Sequence, residues 1–134
     1  MKKLILLFLL LLIPVTCSAE WRVLADEPEY KMAVSTKSII RMAQDVYGVE
    51  EMWMFKGELL KQEIDTTGFQ ELGAKGVRTF YDLKNNKYQN GRVIYYDKQG
   101  KRLADYAPED TAWQELDVLS EKVKQLIKEV RKIK

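Results

Sequence analysis

Few side chains in this sequence could carry acid–base chemistry, and they are poorly placed for it. The acidic pairs are Glu50-Glu51 and Glu109-Asp110. Two carboxylates held together can divide general-acid and general-base work. Glu50 and Glu51 fall in a segment that reads as a strand, where adjacent side chains point to opposite faces, so they cannot act together on one substrate. Glu109-Asp110 sits in a polar turn and is most simply solvated. Asp82, Asp97 and Asp105 lie in or near strand ends, where turn and capping roles are ordinary. The chain contains no histidine, which removes the commonest general base and the commonest metal ligand. Its single cysteine is Cys17, near the start. Structural zinc, Cys–His nucleophiles and Ser–His–Asp triads are thereby excluded. No EF-hand loop, P-loop or dinucleotide-binding glycine pattern is present. A non-enzymatic protein without catalytic, metal or cofactor residues is expected.

Aromatic residues are the other candidates. Phe80, Tyr81, Tyr88, Tyr95, Tyr96 and Tyr106 crowd one stretch. Most should pack in a sheet, and one or two could face outward as contacts, since tyrosine is enriched at interfaces. Phe69 stands between Gly68 and Gly73 with polar neighbours. It is the candidate partner-binding residue, because recognition side chains concentrate in loops held by a rigid scaffold. The alternative is that Phe69 folds back and plugs the end of the core.

The elements that would position these residues centre on Gly76 to Tyr106. Turn signals at Asn85-Asn86 and Lys98-Gln99-Gly100 divide this stretch into strands near 77–84, 87–97 and 101–106. Upstream, Trp21–Ala25 and Tyr30–Val34 alternate and flank a polar, proline-containing turn, which predicts a hairpin. Ser35 to Met42 reads as a short helical turn or a bend. Asp45 to Lys56 reads as a strand with Tyr47, Val49, Trp53 and Phe55 on one face and Val46, Met52 and Met54 on the other. Apolar character on both faces predicts cover on both, or at least a central position in the sheet. Gly48 within it marks a bulge or a close backbone approach. Gly57 to Lys75 breaks the pattern and reads as an elaborated hairpin loop, with Leu59, Leu60 and Ile64 enough for a helical turn or two. Ser120 reads as the N-cap of a last helix, in which Val123, Leu126, Ile127, Val130 and Ile133 form an apolar stripe. That stripe is expected to pack on the sheet; a membrane-surface helix is the alternative.

Met1 to Ala19 has the layout of a secretory signal: Lys2 and Lys3, an apolar run from Leu4 to Ile13, Pro14, then Cys17-Ser18-Ala19. The run is too short to span a bilayer as a helix. Cleavage after Ala19 would leave a single domain over 20–134. A lipoprotein signal would need an aliphatic residue three before Cys17 and a small one just before it; Pro14 and Thr16 stand there, so no acyl anchor is expected. The formal charge of +2 falls to about zero once the two leader lysines are removed. That argues against nucleic acid or an anionic membrane surface as the partner.

The order of segments EWRVL, YKMAVSTKSIIRM, VYGVEEMWMF, FYDLKNNKYQ, YYDKQGKRLADY and TAWQELDVLSEKVKQLI resembles the bacterial surface-adhesin protein E-like family of small exported domains. The resemblance covers nearly all of 20–134. Many relatives have an Asp before the Ser-Ile element, where Val34-Ser35 stands here. Many also carry a cysteine after the Tyr-Asp strand and another in the last helix, where Lys84-Asn85 and a lysine-rich tail stand here. The resemblance implies an α+β fold: an antiparallel sheet of about six strands with the C-terminal helix packed on one face. It also implies a surface or periplasmic binding role, since the named adhesin is similar to a host extracellular-matrix binder that contacts vitronectin and laminin. It assigns no ligand-contacting residue in this chain.

The expected function is therefore an exported, non-enzymatic binding module of the cell envelope or surface that recognises a protein or peptide. The alternative is a periplasmic small-ligand carrier with its pocket between sheet and helix. A packed contact beneath the last helix favours the module. A lined cavity of several hundred Å3 there favours the carrier.

Overall fold

The computed structural model describes residues 20–108 and 110–133. The expected leader at 1–19, with Cys17, lies outside the described residues, as does Glu109 of the second acidic pair. Alternating apolar residues build strands β1 (Trp21–Asp26), β2 (Tyr30–Ser35), β3 (Ile40–Ala43) and β4 (Val46–Phe55). Helix α1 (Gly57–Thr67) follows, then β5 (Leu72–Asp82), β6 (Lys87–Asp97), β7 (Arg102–Tyr106), β8 (Gln114–Glu115) and helix α2 (Val118–Arg131). The strands form one antiparallel sheet in the order β1-β2-β4-β5-β6-β7. Two short strands extend its flanks, β3 on β4 and β8 on β6. The fold is α+β, with α2 packed on one face.

The two faces have separate cores. Tyr47 and Val49 of β4, Met32 and Val34 of β2, Ile39 and Tyr81 meet Val123, Leu126 and Ile127 of α2 in the main cluster. The opposite face holds a smaller cluster of Ala33, Met54 and Ala74, with Trp21, Met52 and Tyr96 packed against it. Both faces of β4 are thus occupied, which its two-sided apolar pattern requires. In β1 the alternation does not carry through. The register shifts between Val23 and Ala25, so Trp21 joins the smaller cluster while Leu24 and Ala25 join the main one. An extra residue in one strand turns every later side chain to the other face.

Four sequence expectations need correction. The stretch 57–67 is an 11-residue helix rather than a loop. Its three apolar residues and uncapped start give it little intrinsic stability, so packing decides its state. Gly68 closes the helix at φ 81° and its N–H donates to the Ile64 carbonyl at 2.7 Å. Strand β5 starts at Leu72, five residues before the expected position, and runs through Gly73 and Gly76. At Gly73 a Cβ would lie 2.8 Å from the Lys98 Cα, so the glycine admits the neighbouring backbone rather than ending the strand. The stretch after Ser35 is the expected short helical turn, a 3-10 turn at Thr36–Ser38, but it is followed by an unexpected strand, β3.

The fourth correction concerns α2. Its N-cap is Asp117, three residues before Ser120. The Asp117 carboxylate accepts from the Ser120 N–H at 2.8 Å, and the Asp117 N–H donates to Ser120 Oγ at 2.6 Å. Ser120 is the reciprocal member of a capping box. Asp117→Ala is expected to lower stability by about 1 kcal/mol, the usual cost of a lost cap. Urea denaturation should show a lower midpoint at an unchanged slope; an unchanged midpoint would show that the cap contributes nothing here.

Candidate binding groove and an adjacent buried carboxylate

Tyr95 on β6 and Tyr106 at the end of β7 meet edge to face, with ring centroids 5.9 Å apart. Phe69, just past the C-cap of α1, adds a third ring 6.0 Å from Tyr95. This row exists because β6 and β7 pair with Tyr95 opposite Ala104, leaving Tyr106 in reach, and because α1 returns the chain beside β6. Phe69 is half-buried, whereas Tyr106 is 50% exposed. An open groove of about 560 Å3 runs past the tyrosines. Thr66 and Thr67 of α1, Asn90 and Gly91 of β6, and Asp110 and Gln114 of the chain after β7 complete its walls. Its lining is mixed: aromatic faces at one side, amides, hydroxyls and a carboxylate at the other. Such a groove suits a ligand with both apolar side chains and hydrogen-bonding groups.

Beside this groove, sharing Asn90 with it, a smaller cleft of about 160 Å3 opens at the N-terminal end of α2. Glu51 of β4 lines it and is 5% exposed. Its Oε1 accepts from Thr79 Oγ1 at 3.0 Å, and its Oε2 accepts from the Tyr81 hydroxyl. Burial pushes the Glu51 carboxyl up to about 7, while hydrogen bonds from Tyr81, Thr79 and Trp53 pull it the other way and the nearby Asp117 carboxylate adds to the rise. The Tyr81 phenol is pushed up as well, first by burial and then by the Glu51 charge. Lys75 also lines the cleft, and its ammonium sits over the Phe55 ring at 5.7 Å.

Glu50, by contrast, points to the other face and pairs with Arg78. The structure therefore separates the Glu50-Glu51 pair, as alternation along a strand requires. Asp82 and Asp97 hold turns: Asp82 Oδ1 accepts from the Lys84 and Asn85 amides, and Asp97 Oδ1 from those of Gln99 and Lys101. Asp105 pairs with Arg92 at 2.6 Å and with Arg102 at 3.6 Å. Sequence reasoning passed over Glu51 as a buried group. The available signal was a carboxylate at an apolar-face position, between Val49 and Trp53. The groove was signalled only in part, by the aromatic stretch and Phe69.

Beneath the rest of α2 the contact is closed: Val123, Leu126 and Ile127 are all buried against the sheet. Among the described residues no helix is long and apolar enough to cross a membrane. No protein-family profile, curated protein or solved structure matches the chain.

Proposed function

We propose that the protein is an exported, non-enzymatic binding module of the cell envelope or surface, an adhesin-like domain that recognises a protein or peptide through the Tyr95–Tyr106 groove. The groove is the observation that carries this reading. It sets half-exposed aromatic rings beside polar groups on a rigid sheet, the combination from which interface anchors are drawn. The loop that bounds it also carries Trp113, 41% exposed. The resemblance to the surface-adhesin protein E-like family supports the exported binding role, with host extracellular matrix among the partners to be tried. The space under α2 supports a module over a small-ligand carrier, because the cleft of about 160 Å3 there falls below the usual size of a ligand pocket.

The test is affinity capture from envelope and host-matrix extracts with the domain over 20–134. Tyr106→Ala is expected to cost about 1 kcal/mol of stability, for the lost edge-to-face contact with Tyr95, to leave the domain folded, and to reduce capture at least tenfold. Undiminished capture would sink the groove as the contact surface. Phe69→Ala tests the third ring: as a contact it lowers capture while melting moves by only a few degrees. A drop in melting of several degrees with capture intact would make Phe69 a support for Tyr95 instead.

A further inference from the structure

The two interrupted flanks of the sheet are closed differently. Along one edge of β4, β2 ends at the pair Val34–Glu51 and β3 resumes at Ile40–Gly48, so Val49 and Glu50 are skipped. The 3-10 turn fills that interval. Ser38 Oγ accepts from the Glu50 N–H at 2.9 Å and donates to the Ser35 carbonyl at 2.8 Å. Along the outer edge of β6, β7 ends at the pair Val93–Tyr106 and β8 resumes at Tyr88–Gln114, so Gln89, Asn90, Gly91 and Arg92 are skipped. Here the chain bows away. Seven residues, 107–113, bridge the four positions of β6, and they include Pro108, which has no N–H to give to a ladder. A side-chain bond, from Gln89 Nε2 to the Thr111 carbonyl, ties the bow to β6. The groove lies in this interval: Asn90, Gly91 and Val93 line it from β6, and Tyr106 and Gln114 stand at the two broken strand ends.

Resting on the groove reading above, we propose that this interval is a docking slot for an extended peptide main chain. The peptide pairs with the Gln89–Arg92 edge of β6, in line with β7 and β8. A strand rises about 3.3 Å per residue, so the slot takes three or four residues. The main chain of β6 from Gln89 to Arg92 has no ladder partner on β7 or β8, and its groups facing this side supply the hydrogen bonds that strand addition requires. The incoming side chains alternate, so every second one meets the Tyr95–Tyr106 rings, which selects aromatic or aliphatic residues at those positions. The β6 bulge opposite Arg78 and the shortness of the slot oppose uncontrolled sheet-to-sheet pairing.

The test uses the domain over 20–134 and the capped pentapeptide acetyl-Thr-Val-Thr-Val-Thr-amide, followed through backbone amide NMR shifts. Two analogues are compared, one N-methylated at the valines and the other at the threonines. The expected result is a set of shifts on Gln89–Arg92, with one analogue binding at least tenfold more weakly and the other like the parent, because only one set of N–H groups faces β6. Deleting 110–112, which lets the chain run straight along β6, is expected to abolish binding. Should that variant fail to fold, the analogue comparison on the natural sequence decides alone. Shifts limited to the Tyr95 and Tyr106 rings, with both analogues binding like the parent, would overturn the slot and leave the groove standing. An absence of shifts on 89–92 at millimolar peptide would overturn the slot too. The groove itself fails separately, through undiminished capture by Tyr106→Ala.

Discussion

Glu51→Gln is expected to remove most of the dependence of stability on pH between 5 and 8, and above pH 8 the variant is expected to be the more stable protein. The cause is burial. In the unfolded chain Glu51 titrates near the ordinary 4.5, and in the folded protein near 7. Between those values the folded state holds a proton that the unfolded state has released, so stability falls as pH rises. The contribution is complete below pH 4.5 and lost by the time pH has passed about 7. A rise of this size corresponds to about 3 kcal/mol, at roughly 1.4 kcal/mol per unit. Glutamine keeps an acceptor for Thr79 and a neutral head group beside Tyr81, so it imitates the protonated acid at every pH. The chain has no histidine, so the window from pH 5 to 8 is unusually clear of other side-chain titrations. Urea midpoints at pH 5, 6, 7 and 8 for both proteins check the expectation. Parallel profiles would show that the Glu51 carboxyl is charged throughout and that its three donors outweigh burial.

Ile127→Ala is the second large effect. Ile127 and Leu126 are buried where α2 meets Val34, Val49 and Tyr81. Truncating either side chain removes apolar burial and leaves a cavity, a loss of roughly 2–5 kcal/mol. In a domain of this size that lowers melting by more than about 10 °C, since each kcal/mol is worth several degrees. Val118→Ala, on the same helix but 78% exposed, serves as the control and should change stability by less than about 0.5 kcal/mol. A variant of Ile127 with normal melting and impaired membrane association would instead make α2 a surface-binding helix.

Much of the frame is readable from residue order because it rests on local rules. Strand alternation placed Tyr47, Val49, Trp53 and Phe55 on one face, and the helical spacing of Val123, Leu126 and Ile127 named the buried stripe. Turn chemistry at Asn86 and Gly100, both at positive φ, set the hairpin ends. What escaped depends on distant partners. Helix α1 has too few apolar residues to announce itself, and its state is decided by where β5 lies. Gly73 looks like a breaker until Lys98 is seen pressed against it. Glu51 looks like any strand carboxylate until α2 covers it. The interval on β6 cannot be read from β6 at all, because it is made by two pairings of a segment further along the chain.

The helix that covers the main core also reaches the first strand. Arg22 pairs with Glu129 at 3.6 Å, and Lys122 Nζ donates to the Leu24 carbonyl at 3.4 Å. The N-terminal end of the described fold enters the sheet at its β1 edge, whereas the last turn of α2 lies over β4, with Arg131 above the Tyr47 ring, and the Tyr95–Tyr106 groove lies beyond β6. Four inter-strand steps separate β1 from β6, about 19 Å at the usual spacing, and the groove lies past β6. A tether attached at the N-terminal end, whether a fusion partner, a resin or a linker to a larger body, holds the domain by its far edge and presents the groove outward. Orientation on a sensor surface then needs no engineered attachment site beyond that end, and two copies held by it on one support keep both grooves open to a divalent target.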